Sequence, residues 1–276
     1  FNSMVNGICV YVNRDTFNHI RSLNGETSAS QFYIRFQNEN RLKKTIADFK
    51  LKYNLTDENV KENFRLIAQA ANIPVENITA GAQDHHTNVR RVTMKNAGTG
   101  IWKPKDMESV DGLVTDEPNL PLLIYAADCV PLYFYDPIHH AIGLSHAGWR
   151  GTVNGMAKAT VEKMQEEFDT RPEDLLAAIG PSIAKECFEV DAPCAEEFLA
   201  LPDSDKFVTD DGNGKFHVDL WACNRAFLLG AGVLPEHITT GGVCTMCNSD
   251  LLFSHRVTRG KRGSNAGFLM LREQNA

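Results

Sequence analysis

Apolar and polar positions change rhythm many times along this chain, and each change marks an element. Residues 5–12 alternate loosely, the period-two pattern of a first strand. A polar, irregular stretch follows to about residue 55. Within it Leu42, Ile46, Phe49 and Leu51 stand among lysines, which predicts a surface helix over 38–53. Thr56 then caps a helix over 58–71, where Val60, Phe64, Leu66, Ile67 and Ala70 recur near helical spacing as a core-facing stripe. Strands are predicted over 78–82, 88–93 and 121–126, the last of the fully buried type. Residues 151–168 read as one helix, with Val153, Met156, Ala157, Thr160, Val161 and Met164 on a single side. Further on, 175–179, 237–243 and 267–271 read as strands, and 193–201 and 219–229 as helices. No repeat, low-complexity run or linker breaks the mixture, so one α+β domain over 1–276 is expected.

Between these elements lies the most informative pattern. Residues 130–135 and 140–145 are two β-prone runs joined by Asp136-Pro137-Ile138-His139, a hairpin signal. Pairing Tyr135 with His140 sets Cys129 opposite His146, with Cβ atoms about 4.5–5.5 Å apart. A thiolate and an imidazole at that distance either share a metal ion or form a nucleophile and its base. Beyond His146 the chain leaves through Ala147-Gly148-Trp149-Arg150-Gly151. Arg150 starts a helix, where free N–H groups and a guanidinium together suit an anion, although a surface cation is the plain alternative.

Other histidines join this pair with different weight. His85 and His86 lie at a strand junction where loops gather, and successive strand residues face opposite sides, so one of the two enters the site. His139 and His140 fall in the far turn and belong to the surface. Two nitrogens and one sulfur suit zinc, with copper the alternative, and three protein ligands leave a fourth position open, as in catalytic zinc sites. Asp128 precedes Cys129 and is a candidate either to accept a hydrogen bond from a ligand imidazole or to carry a proton. Near the end of the chain His255, Arg256, Arg259, Lys261 and Arg262 form a basic group that either lines a cleft or is simply solvated.

Composition narrows the class. The 276 residues are 43% hydrophobic and 23% charged, enough for a sizeable core. A formal net charge of −7 without a long basic block argues against a nucleic-acid partner. No run of 18 apolar residues occurs and no charged-then-apolar leader opens the chain, so no membrane partner and a cytoplasmic location are expected. Seven scattered cysteines read as reduced thiols. Cys244-Thr245-Met246-Cys247 is a CxxC without a second CxxC, which favours free thiols over a zinc knuckle.

At these residues the chain resembles the laccase-domain family, also known as polyphenol oxidoreductases and better described as multifunctional purine nucleoside enzymes. Its marks are Gln83 and His85, Ala127-Asp128-Cys129, His146-Ala147-Gly148-Trp149-Arg150-Gly151, Gly180-Pro181-Ser182-Ile183, Cys187-Phe188-Glu189-Val190 and Phe253-Ser254-His255-Arg256. The resemblance implies an α+β sandwich in α/β/β/α layers, distantly similar to bacterial toxin deamidases. It implies His85, Cys129 and His146 as metal ligands, and thereby prefers His85 to His86. It also implies purine nucleosides and phosphate as partners: phosphorolysis of adenosine, inosine and methylthioadenosine, and deamination of adenosine. Asp128 and Arg150 are then the catalytic candidates, with Arg150, His255 and Arg256 binding substrate. A Thr-Arg-x-Gly-Gly-x-Ser segment usual in the family is represented here only by Ser22-Leu23-Asn24-Gly25-Glu26-Thr27-Ser28, and His86 stands where glycine is usual. Three other readings compete: a copper-dependent polyphenol oxidase, a metal-free cysteine hydrolase, and a nucleoside-binding homologue with weak catalysis. Multicopper oxidases draw on His-x-His pairs, and none of the nine histidines here forms one.

Overall fold

Strand β1 (Ile8–Val12) and helix α1 (Asp57–Ala71) open the described part of the chain; the computed structural model describes residues 8–12, 57–105 and 107–273. The helix expected over 38–53, the segment 22–28 and the Thr56 cap lie outside these residues. Next come β2 (Thr79–Ala80), β3 (Val89–Arg91), β4 (Gly112–Thr115), β5 (Leu122–Ala126), β6 (Val130–Asp136) and β7 (Ala141–Ala147). Helices α2 (Trp149–Val153) and α3 (Met156–Phe168) follow, then β8 (Leu176–Ile179), β9 (Glu189–Asp191) and α4 (Ala192–Leu199). The chain continues through β10 (Val208–Gly212), β11 (Lys215–Val218), α5 (Leu220–Gly230), β12 (Ile238–Thr240), α6 (His255–Thr258) and β13 (Asn265–Leu271).

The strands form a six-stranded sheet in the order β12-β8-β6-β7-β4-β3, a four-stranded sheet β1-β13-β5-β2 and a three-stranded sheet β10-β11-β9. Side-chain alternation gives the two larger sheets an apolar residue on each face. Leu122, Ile124, Leu269 and Leu271 of one meet Tyr133, Tyr135, Ile142 and Leu144 of the other in a shared core. Leu132, Phe134, Ala177 and Ile179 point the opposite way, into a core completed by Val161 and Met164 of α3 and Leu228 of α5. Leu123, Phe268 and Met270 on the far face of the four-stranded sheet pack against Phe64, Ile67 and Ala68 of α1. The fold is α+β.

Two local features depart from the sequence expectation. The β6–β7 pairing sets Tyr135 against Ile142 and Asp136 against Ala141, so the loop is Pro137 to His140 and the register is displaced by two residues. Asp136 decides this. Its carboxylate accepts the amides of Ile138 and His139 at 2.8 and 3.0 Å and touches the His139 ring, so it closes the ladder as its last member. A two-residue displacement preserves face, so the side-chain parity of the strand is unchanged. Residues 151–168 are also two helices rather than one. Gly155 breaks them at φ +79°, and a Cβ there would meet the Phe227 ring at 3.2 Å. The expected apolar side is nonetheless buried throughout.

Candidate active site

The site forms where the loop before β3 crosses the adjoining ends of β6 and β7. Asp111, immediately before β4, organises it. Its carboxylate accepts the backbone N–H groups of Asp84, His85 and His86 at 3.0, 3.0 and 3.2 Å, wrapping that loop around one anion. The wrap carries His85 into the left-handed region at φ 73°. One oxygen of the same carboxylate also faces Nδ1 of His146 at 2.8 Å, while the Asp111 carbonyl accepts the His146 amide at 2.7 Å. That contact occupies Nδ1 as donor and turns Nε2 toward Cys129. Burial alone would push the Asp111 carboxyl up, but His146 and the three amides outweigh it and hold the group below its usual range.

Cys129 is presented from the other side. Asp128 precedes it in a left-handed conformation, φ 77°. Its carboxylate accepts the Thr245 hydroxyl at 2.6 Å, the Ser254 hydroxyl at 3.1 Å and the Arg256 amide at 2.7 Å. These contacts hold a strained peptide that aims Cys129 at the histidines. Gly148 completes the arrangement. A Cβ there would come within 2.5 Å of His85 Cδ2 and 3.3 Å of Cys129 Sγ, so only glycine lets the three side chains converge.

One ligand-capable atom from each of His85, Cys129 and His146 lies within 4.8 Å of the others, with Cys129 Sγ 3.8 Å from His85 Nε2. The rings of His85 and His146 meet edge to face at 4.9 Å. Burial opposes ionisation of Cys129, yet the two neighbouring imidazoles bring its thiol down to about 6. Burial likewise disfavours the charged His146, but Asp111 and Cys129 raise it to about 9. Cys129 also holds His85 above the ordinary imidazole value, against burial and the charge of His146. A thiolate beside two imidazoles fits a borderline divalent ion such as zinc. The three residues open onto a cleft of about 260 Å³, lined further by Gln83, Lys105, Tyr125, Arg262 and Ser264.

His86 turns away from the cleft to Asp84 and Ser109, at 2.7 and 2.9 Å, which separates it from its neighbour. His139 is exposed and His140 half-buried in the far turn. Cys129 does not pair with His146, whose β-partner is Pro131; the two meet because the chain bends at Asp128. Among the described residues Asp128 accepts no imidazole hydrogen bond, a role that Asp111 fills instead. Arg150 is exposed, stacks on its neighbour Trp149 at 4.2 Å and exerts its charge on Cys194 of α4. His255 and Arg256 begin α6 outside the cleft lining, and the Arg256 guanidinium reaches the Cys187 carbonyl at 3.4 Å. The basic residue that does line the cleft from this region is Arg262, braced on Ser264 Oγ at 2.9 Å. Gln83 spans to β5, exchanging two hydrogen bonds with the Tyr125 backbone at 2.7 and 2.8 Å. Asp111 escaped sequence reading, and its one signal is an acid leading directly into the buried run Gly112–Thr115.

A family model described as multi-copper polyphenol oxidoreductase laccase matches residues 39–272. The chain belongs to this family. Within the laccase family, purine nucleoside phosphorylase YlmD of Bacillus subtilis is 34% identical over 219 residues, 79% of each chain. A purine nucleoside phosphorylase of Bacteroides thetaiotaomicron is 34% identical over 219 residues, 78% of this chain and 80% of that one. Among solved structures, YlmD from Geobacillus stearothermophilus superposes with a TM-score of 0.75 at 35% identity, covering 81% of this chain and 84% of the other. Bacillus licheniformis YfiH gives 0.77 at 33% identity, covering 80% and 84%. Among the described residues no helix is long and apolar enough to cross a membrane.

Proposed function

We propose that this chain is a zinc-dependent purine nucleoside phosphorylase that cleaves adenosine, inosine and methylthioadenosine with phosphate and also deaminates adenosine. The observation that carries the reading is the convergence of His85, Cys129 and His146 at a cleft whose rim holds two cations, Lys105 and Arg262. The names of the relatives support the substrate class. His85, Cys129 and His146 would hold the ion, which supplies Lewis acidity to an oxygen of substrate or water. Lys105 and Arg262 would bind phosphate in the place first expected of Arg150, bringing a dianion up to the ribose. Burial pushes the Tyr125 phenol up, so at neutral pH it stays a hydroxyl able to donate to the nucleoside. The experiment is incubation of metal-replete protein with adenosine and phosphate, following adenine, ribose 1-phosphate and inosine by chromatography. Product above a Cys129→Ala control is expected, and none above it would overturn the proposal.

A second reading rests on the depressed Cys129 thiol, which in metal-free protein is a thiolate at neutral pH beside a protonated His146. That pair would serve a cysteine hydrolase. Alkylation separates the two: a metal-held thiolate reacts only after chelator treatment, whereas a free nucleophile reacts equally with and without it.

A further inference from the structure

A second thiol cluster lies apart from the cleft. Cys187 follows β8, and Cys244 and Cys247 follow β12, yet their sulfur atoms all lie within 4.8 Å of one another. Ladder-like contacts bring the two loops together: Ser182 and Cys244 form a parallel bridge, the Ser182 amide meets the Val243 carbonyl, and the Thr245 amide meets the Ser182 carbonyl. We infer that Cys187, Cys244 and Cys247 form a second metal site, a three-thiolate centre for zinc, independent of the function assigned to the first.

Four features support it. The Cys187 and Cys247 sulfurs are 3.4 Å apart, too far for a disulfide bond of about 2.05 Å. The spacing is near the edge of about 3.8 Å that two thiolates make around a tetrahedral ion with Zn–S bonds of about 2.3 Å. Cys244 Sγ accepts two backbone amides, from Ala184 and Cys247, each at 3.4 Å. An amide of the second cysteine aimed at the first sulfur is the turn a CxxC makes when it wraps an ion, and two donors stabilise a thiolate. Accessibility is graded, with Cys244 buried, Cys187 half-buried and Cys247 exposed, so an ion can enter and a fourth position faces solvent. Finally, Arg256 reaches the Cys187 carbonyl and offsets the net negative charge of three thiolates around a dication.

The site would also brace the catalytic region. Thr245, inside the CxxC, and the Arg256 amide both hold the Asp128 carboxylate that aims Cys129.

Protein equilibrated with zinc under reductant and desalted should carry two ions per chain by elemental analysis, and Cys247→Ser should carry one. Cobalt gives the decisive control. Cys129→Ala removes the only sulfur ligand of the first site, so a thiolate-to-cobalt charge-transfer band in that variant must come from the second. The band should persist in Cys129→Ala and vanish when Cys247→Ser is added, with circular dichroism checking that each variant folds. Absence of the band from folded Cys129→Ala would overturn the inference. So would thiol-blocked lysates in which Cys187 and Cys247 are joined as a disulfide.

Discussion

At the scale of single residues the site depends less on its three ligand-capable side chains than on the groups that aim them. Asp111 serves four partners at once: three amides that shape the His85 loop and the Nδ1 of His146. Asp111→Asn keeps one acceptor oxygen but supplies an amide where a carboxylate met an N–H. It should weaken the proposed zinc binding about 10–100-fold, the usual range for residues that orient a ligand imidazole. Competition against a chromophoric chelator measures this, and unchanged affinity would show that His146 is aimed by its backbone alone. Gly148→Ala tests packing instead of charge, because its new methyl group lands 2.5 Å from His85 Cδ2. Loss of the proposed zinc binding and phosphorolysis is expected, with a thermal midpoint near that of the metal-free parent. The identities of these two residues differ in legibility. Gly148 stands in the motif His146 to Gly151, whereas Asp111 belongs to no spacing pattern and becomes meaningful only once β4 lies beside β7.

At the scale of elements the β6–β7 hairpin shows how one buried acid sets a register. Burial raises the Asp136 carboxyl, but the nearby Thr170 hydroxyl and the His139 amide and ring outweigh it and keep the group below the usual carboxylate value. A carboxyl depressed in the folded state stabilises it above the unfolded value of about 3.9, and that contribution is lost as pH falls through the folded value. Asp136→Ala should cost about 1–3 kcal/mol at neutral pH, because it strands the turn amides. Urea unfolding from about pH 5 downward should show the difference from the parent shrinking below about pH 4. A constant difference would assign the effect to packing. Sequence rhythm located both strands of this hairpin but not its register, since tertiary hydrogen bonding to a side chain is invisible to alternation. The three-stranded sheet is illegible for a related reason: its strands carry only one or two core-facing residues each, Val190, Val208, Phe216 and Val218, and Thr209 to Lys215 between them are exposed, so no period is set. Its turn, Asp211-Gly212-Asn213-Gly214, was the available signal.

At the scale of the whole molecule, the core between the two larger sheets fixes the platform on which the site rests. Leu144 is fully buried there, on β7 two residues before His146. Leu144→Ala should destabilise the protein by about 2–5 kcal/mol through a cavity at the sheet interface. The expected result is a lower urea midpoint with an unchanged slope, and a changed slope would mean that the native state had loosened. The same platform explains why the basic residues of the C-terminal region divide. Arg256 is drawn onto Cys187 and Phe188, whereas Arg262, beyond the left-handed Arg259, turns back to the cleft. The α+β class, most of the described elements, and Cys129 and His146 with one of His85 and His86 were legible in the sequence, because periodicity and donor chemistry are properties of neighbouring positions; the choice of His85 came from the family resemblance. Tertiary structure alone decided that Asp111 and not Asp128 orients the imidazole, that Arg262 and not Arg150 lines the cleft, and that Cys187 joins a CxxC more than fifty residues away. Those are contacts between strands and loops remote in the chain, brought within reach by the pairing of β4 with β7 and of β8 with β12 in the six-stranded sheet and by the loops that follow them.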